Sequence, residues 1–424
     1  MVHNGEVTDS GMATTARPTS TGRAAGPAGP QGTDGAGRAR LGEVTTTTLV
    51  HRRTGGAATW WQQAVIFQVL VATDVPGLEA LAQEVSHVAR LGAHALQVHC
   101  PDVDPAAEPA RTAVDTLVRR AHQRGVKVIA AVVGTDAPGG TDPAWHLARC
   151  AAWLDRGVDG IDLSAAATSL ADHGPHEHPG VDLGGLQALV AEHGEDTVVT
   201  GAGTAVAPRD LATHLHEDWL HVTRDDRLVA TGWQAAALRA TITDAYALRD
   251  PVGATAGWTL LAAPTAASAA WAGLTDEALR RRHDAATLLM LALPGTAYVP
   301  QGEAVGLTAG QTADGSVAAM VHAVAEAVVR QKGRIGTVFE RYRQALRLRQ
   351  ELHLGTGTVA WVDTPGDGAL AFLNRQLLVL VNVGPGPVLV PAGREILHAS
   401  DDLPPPLDGD VVVPPDTTVW LSSS

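Results

Sequence analysis

At 424 residues, 45% of them apolar, the chain is long enough for one large core and a small satellite domain. Its 31 basic and 45 acidic residues leave a formal charge of −14, which argues against nucleic acid or an anionic membrane surface as a partner. Two cysteines, Cys100 and Cys150, form no disulfide framework and point to a reduced, cytoplasmic compartment. The longest apolar run, Ala285 to Leu293, stops at Pro294-Gly295, short of the roughly 18 residues of a membrane span. No charged and then apolar leader opens the chain, so the sequence gives no sign of secretion.

Residues 1–57 are rich in Thr, Gly, Ala, Pro and Arg without apolar periodicity and read as a disordered, low-complexity tail. From Trp60 the pattern changes. Three helical stretches end in a glycine and run into a short apolar strand. Leu78–Leu91 ends at Gly92 before His94–Cys100, Arg111–Arg124 at Gly125 before Val126–Val133, and Trp145–Arg156 at Gly157 before Val158–Ser164. The glycines recur about every 33 residues, the length of one strand–helix unit with short loops. Continuing the count places strands near Ile66–Val71, Thr197–Gly201, Trp219–Thr223, Trp258–Ala262 and Ala297–Val299. Eight strands with intervening helices predict a (β/α)8 TIM barrel over 58–353. An open doubly wound sheet would need a glycine-rich loop after its first strand, and Ala72-Thr73-Asp74-Val75-Pro76 is not one. One long helix, Ser316 to about Leu352, is expected to close the barrel. Seven short strands with Pro-Gly turns then predict a small antiparallel β-sandwich over 354–424.

On these residues the sequence resembles glycoside hydrolase family 13, the α-amylase superfamily, and within it the bacterial α-glucosidases and oligo-1,6-glucosidases. Trp60-Trp61-Gln62-Gln63-Ala64-Val65-Ile66-Phe67-Gln68 is similar to the family's opening strand. Trp153-Leu154-Asp155-Arg156-Gly157-Val158-Asp159-Gly160 is similar to the segment that leads into the catalytic strand. Leu293-Pro294-Gly295-Thr296-Ala297-Tyr298 and Gln301-Gly302-Glu303 resemble motifs around strand eight. The resemblance covers nearly everything from Trp60 onward and implies an α-glucan-acting barrel.

Such retaining glycosidases need a nucleophilic carboxylate and a carboxylic acid roughly 5–5.5 Å apart at the barrel mouth, and in this family a third carboxylate as well. Carried over by position, the nucleophile falls on Ser164 and the acid on Ala202. The third carboxylate falls on Thr265, and the arginine two residues before the nucleophile becomes Asp162. The stretch that should end strand three with a sugar-binding histidine reads Ala131-Val132-Val133-Gly134-Thr135-Asp136. The small domain usually inserted there is reduced to Gly134–Asp142. All three catalytic carboxylates are therefore missing, which leaves Asp136, Asp162, Ser164 and Glu303 as a vestigial pocket.

Asp162 should share the inward face of its strand, about 6.7 Å deeper than Ser164, and a lone carboxyl there would lose its charge unless paired. Asp102, Asp104, Asp136, Asp225 and Asp226 read as solvated loop and cap residues. Ser164 lacks the Gly-x-Ser-x-Gly elbow of a serine nucleophile. Three histidines, His173, His176 and His178, offer imidazoles for a metal, but their spacing fits no closed site, and no metal or other cofactor is expected. Cys100 reads as a small buried side chain.

Two functional readings follow. The first is a non-catalytic pseudoenzyme of carbohydrate metabolism that binds an α-glucan or oligosaccharide, or assembles with an active paralogue. Amino-acid transporter heavy chains, which keep this fold without hydrolysis, offer the precedent. The second is residual or altered α-glucosidase or transglycosylase activity through the substituted residues.

Overall fold

The computed structural model describes residues 39–42, 47–52, 58–131, 142–163, 182–202, 220–225, 227–260, 271, 273–307, 312, 315–364 and 366–423. Strand structure begins earlier than the sequence suggests. Two strands, β1 (Ala39–Arg40) and β2 (Thr47–Arg52), fall inside the stretch expected to be a tail. The tail reading is corrected for these residues. Thr47 and Thr48 suit an extended backbone, and β2 lacks an apolar alternation because it borrows a sheet edge instead of building a face of its own. It pairs antiparallel with β11 (Thr358–Val362), while β1 runs parallel to β14 (Val388–Val390). Leu41, just after β1, donates its amide to Leu389 O at 2.8 Å and is buried.

Eight parallel strands close the predicted barrel. They are β3 (Val65–Gln68), β4 (Ala95–His99), β5 (Lys127–Ala131), β6 (Gly160–Asp162), β7 (Val198–Ala202), β8 (Val222–Asp225), β9 (Thr255–Thr259) and β10 (Thr296–Pro300), with β10 returning to β3. Two strands sit three residues from their expected start. β9 begins at Thr255 and not Trp258, because its inward positions are Thr255, Gly257 and Thr259, which carry no apolar signal. β8 likewise begins at Val222 and runs on to Asp225.

Alternation along the strands splits the core in two. Ile66, Ala95, Ile129, Val198, Val222 and Tyr298, one from each of six strands, form a small inner cluster above Trp61. Their neighbours Val65, Phe67, Leu96, Val98, Val128 and Trp258 face the surrounding helices in the largest cluster. Each such side chain contributes about 1.5–3 kcal/mol when fully buried.

The helices are α1 (Val75–Leu91), α2 (Ala110–His122), α3 (Pro143–Leu154), α4 (Leu183–His193), α5 (Arg227–Ala230), α6 (Ala235–Arg249), α7 (Asp276–Ala292), α8 (Val317–Gln331) and α9 (Val338–Glu351). Side-chain caps start several of them, as where Asp74 accepts the Gly77 amide at 2.9 Å. The single long helix expected after Ser316 is two. Gly333 (φ 75°) and Gly336 (φ 82°) take the left-handed backbone that breaks α8 from α9, and Glu340 Oε1 accepts the Gly333 amide at 2.7 Å across the break.

Beyond the barrel, β12 (Ala369–Asn374), β13 (Leu377–Asn382), β15 (Ile396–Ala399) and β17 (Thr417–Ser422) join β11 and β2 in a six-stranded sheet ordered β15-β17-β13-β12-β11-β2. A second sheet, β1-β14-β16, uses β16 (Val411–Val413), and residues of both sheets share a separate apolar cluster. This is the expected sandwich, with an N-terminal strand added to each sheet. Side chains of the larger sheet donate to carbonyls along α7: Thr418 Oγ1 to Ala285 O at 2.8 Å, Trp420 Nε1 to Leu288 O at 3.2 Å and Asn374 Nδ2 to Ala292 O at 2.7 Å.

Candidate functional site

The motifs that carry the resemblance hold the barrel's framework. Gly295 sits at φ 106°, and a Cβ there would lie 2.2 Å from Ala256 O, so the Pro-Gly turn into β10 needs glycine. Arg349, fully buried on α9, donates to Leu291 O, Leu293 O and Gly295 O at 2.6, 2.7 and 2.5 Å. Tyr246 Oη and Trp258 Nε1 both donate to Pro294 O. A Cβ on Gly160 would lie 2.5 Å from Val198 O. Asp159 accepts the Val128 amide at 2.8 Å and also binds Lys127 and His122, tying β5 to the segment before β6. These carbonyls and close approaches belong to the N-terminal end of the barrel, opposite the end where barrel enzymes do chemistry.

At the C-terminal end the strands turn polar. Asp162 closes β6 with its side chain inside the barrel and wholly buried. Its Oδ2 accepts from Thr200 Oγ1 on β7 at 2.5 Å and from Arg224 Nη1 on β8 at 2.7 Å. The Arg224 guanidinium also lies 5.3 Å from the centre of the Tyr298 ring, and burial pushes the Tyr298 phenol well above its usual range. The carboxyl expected to be neutral unless paired is therefore paired. An aspartate on β6 and an arginine on β8 occupy the inner face where the family resemblance implies an arginine on β6. Such a pair is costly to bury and far costlier to break, since either half alone leaves an uncompensated charge.

Glu303 does not belong to this group. It follows β10 in a short 3-10 turn, is buried among the outer helices, and binds Tyr342 Oη on α9, Thr287 Oγ1 at 3.4 Å and His283 Nε2 at 3.3 Å on α7. Burial opposes a charge on His283, yet the hydrogen bond and charge of Glu303 outweigh it and raise the imidazole's pKa. Glu303, expected in the vestigial pocket, instead joins two helices through its Oε1.

Asp225, expected as a solvated loop residue, is also corrected. It ends β8 on the outward face, 1% exposed, with Arg227 Nη2 at 2.6 Å and Arg249 Nη1 at 3.4 Å. Burial raises its pKa, but the Arg227 hydrogen bonds and the Arg249 charge prevail and hold it below the usual carboxylate range. Asp104 is an exposed loop residue as expected, accepting the Ala106 amide at 2.9 Å, and Asp102 is exposed.

Ala202 closes β7 opposite Arg224 and supplies no ionisable group. Asp136, Ser164, Thr265, Asp226 and the three histidines His173, His176 and His178 lie outside the described residues. Among the described residues no group of three His, Cys, Asp or Glu side chains could hold a metal ion. No described helix is long and apolar enough to cross a membrane. Burial pushes the Cys100 thiol up, and Arg149 donates to Cys100 O at 2.7 Å and Pro101 O at 2.6 Å, so this segment is structural. Cys150 is likewise buried, its thiol pushed up to about 12.

Sequence reasoning missed Arg224, Thr200 and the pair formed by Glu84 and Gln301. Gln301 Nε2 donates to Glu84 Oε2 at 2.8 Å, and burial pushes Glu84 up to about 7. A signal for Arg224 was present. In Val222-Thr223-Arg224-Asp225 a two-residue period puts the arginine on the same face as Val222, which is visible once the strand is extended past Thr223.

No protein-family model matches the sequence, and no curated protein matches it. Solved structures do. The trehalose-6-phosphate hydrolase of Bacillus licheniformis superposes at a TM-score of 0.60 with 13% identity, covering 86% of this chain and 100% of that one. A debranching enzyme of Nostoc punctiforme gives 0.59 with 14% identity, over 86% of this chain and 100% of that one. A pullulanase from an Anoxybacillus species gives 0.56 with 12% identity, over 88% and 72%. The closed barrel, the sandwich behind it and these likenesses agree: the chain has the fold of the glycoside hydrolase family 13 enzymes.

Proposed function

We propose that this protein is a non-catalytic relative of the α-amylase-type enzymes, serving as a binding or assembly component of α-glucan metabolism. The observation that carries the reading is the state of Asp162. It is the candidate carboxylate inside the barrel among the described residues, and it is wholly buried with its Oδ2 held by Arg224 and Thr200. Retaining hydrolysis needs two free carboxyl groups on either side of the scissile bond. Ala202 and the serine and threonine at positions 164 and 265 supply neither, and Glu303 Oε1 is engaged by side chains of two helices. The likeness to a trehalose-6-phosphate hydrolase and to debranching enzymes points to an α-glucoside or α-glucan as the ligand, or to an active paralogue that handles one.

The test is turnover by the purified full chain on p-nitrophenyl α-glucoside, maltose, isomaltose and trehalose 6-phosphate. The expected result is no release above the buffer blank. Turnover that disappears in Ser164→Ala, with melting unchanged, would instead establish an altered α-glucosidase or transglycosylase. Titration calorimetry with malto-oligosaccharides then separates the two uses of the scaffold. Saturable heat supports sugar binding, and its absence moves the role to protein assembly, to be read by co-purification with a family paralogue.

A further inference from the structure

Glu303 is a buried acid with a single source of opposite charge. Its Oε1 accepts from Tyr342 Oη, from Thr287 Oγ1 at 3.4 Å and from His283 Nε2 at 3.3 Å. Its Oε2 is buried and accepts no hydrogen bond. Thr287 and Tyr342 are neutral donors, since burial and the Glu303 charge hold the Tyr342 phenol well above its usual range. Among the described residues His283 is the one cationic group within ion-pairing reach of Glu303. When the imidazole loses its proton, a buried carboxylate with one bare oxygen loses its counter-charge. The His283 side chain keeps 20% of its surface exposed, so that proton exchanges with solvent.

The other charged groups around the imidazole are already paired or neutral. Asp284, its neighbour on α7, pairs with Arg280 at 2.8 Å and with Arg341 of α9 at 3.4 Å. Arg341 also faces Asp401, just after β15, at 3.8 Å. His398 lines a small cavity with Asp284, Thr287 and Tyr342, and burial holds it down to about 4, so it carries no charge near neutrality.

What Glu303 holds is the segment that leaves β10 at the C-terminal end of the barrel. Within that segment the Val305 and Leu307 amides donate to Gly302 O at 3.0 and 2.9 Å, and the Gly306 amide to Glu303 O at 2.9 Å. Side chains fix it from outside. Glu303 reaches α7 and α9, and Val305 O accepts from Gln331 Nε2 of α8 at 2.8 Å.

We propose that the His283–Glu303 pair is a proton-operated latch on the Glu303–Leu307 segment, closed while His283 carries its proton and loosened when it does not. Burial alone would lower the imidazole's affinity for a proton; the hydrogen bond and charge of Glu303 reverse this and raise it above the usual 6.5. A group that holds its proton more tightly in the closed state stabilises that state fully below 6.5. The contribution is lost as pH rises through the higher, closed-state value. The latch depends on side-chain pairing alone and stands whether or not the mouth is catalytic.

The test is amide hydrogen exchange of the full chain from about pH 5.5 to about pH 8.5, read at Val305, Gly306 and Leu307 and corrected for the pH dependence of the exchange chemistry. NMR follows the His283 titration alongside. Protection at the three amides should fall as His283 loses its proton. The fall should be about tenfold for each pH unit by which the closed-state titration lies above 6.5. In His283→Gln a neutral donor replaces the cation, and protection should be low at every pH. Glu84 titrates near 7 and accepts from Gln301, two residues before Glu303, so Glu84→Gln is the control, and the fall should survive it. Melting curves show whether the variants fold. Should His283→Gln not fold, coincidence of the two titration curves in the parent and in Glu84→Gln carries the comparison. Protection that ignores pH, a His283 titration below 6.5, or a fall that persists in His283→Gln or vanishes in Glu84→Gln would overturn the proposal.

Discussion

The two ends of the barrel differ in what they keep. At the N-terminal end, the segments that resemble the family are fixed through their backbone: Gly295 against Ala256 O, the Leu293 and Gly295 carbonyls under Arg349, Asp159 between β5 and β6. At the C-terminal end, the strand ends hold Ala202 and an Asp162 locked to Arg224. The lesson is that the two ends answer to different demands: backbone fit at one, side-chain pairing at the other. Glycines at close approaches and donors to buried carbonyls answer to the backbone whatever the reaction, whereas a side chain at the mouth answers to its own partners.

That comparison can be broken most sharply at Gly295. Gly295→Ala puts a methyl 2.2 Å from a carbonyl oxygen at a φ that L side chains avoid, and is expected to cost about 5 kcal/mol or prevent folding. A urea midpoint close to that of the parent would show that the turn into β10 is not the constraint described.

At the mouth, Arg224→Met should cost about 3–5 kcal/mol by leaving Asp162 buried and unpaired. Adding Asp162→Leu should recover most of that loss, and a double-mutant cycle in urea reads the coupling. Additive effects would mean that the two side chains do not hold one another.

A third test uses pH. The folded carboxyl of Glu84 titrates near 7, against about 4.5 when unfolded. The folded state therefore keeps a proton that the unfolded chain has already released. Its stabilising contribution is complete below pH 4.5 and is lost as pH rises through 7, on the order of 3 kcal/mol in all. Glu84→Gln should flatten that fall in stability. An unchanged pH profile would place the titration on another group.

The smallest effect is expected at the N-terminal strand. His51 stacks on Tyr246 with ring centres 4.1 Å apart and binds Asp250 Oδ1 at 2.7 Å. His51→Ala should cost about 1 kcal/mol of thermal stability, and removing β2 altogether considerably more, because the β11 edge would then be bare.

Much of the frame was legible. The recurring glycines and apolar strands gave the barrel, and the Pro-Gly turns gave the sandwich, because both rest on local backbone demands. What escaped was pairing between distant segments. β2 looked like tail because an edge strand needs only extended residues and a partner more than three hundred positions away. Asp225 looked solvated because, although Arg227 is a local partner, nothing local shows that α6 brings Arg249 over it and buries it. Glu303 sits in a motif that resembles the family's, but only the helix packing shows that it faces Thr287 and Tyr342 and not the barrel mouth.

The sequence by itself determined the repeating strand–helix units, the sandwich and the absence of carboxylates at positions 164, 202 and 265, since these depend on residue identity and local spacing. Only the tertiary structure decided that Asp162 is an ion-pair partner and not a free acid. The charge that neutralises it comes from a strand two places round the barrel, 62 residues along the chain, and closing the barrel is what brings the two together.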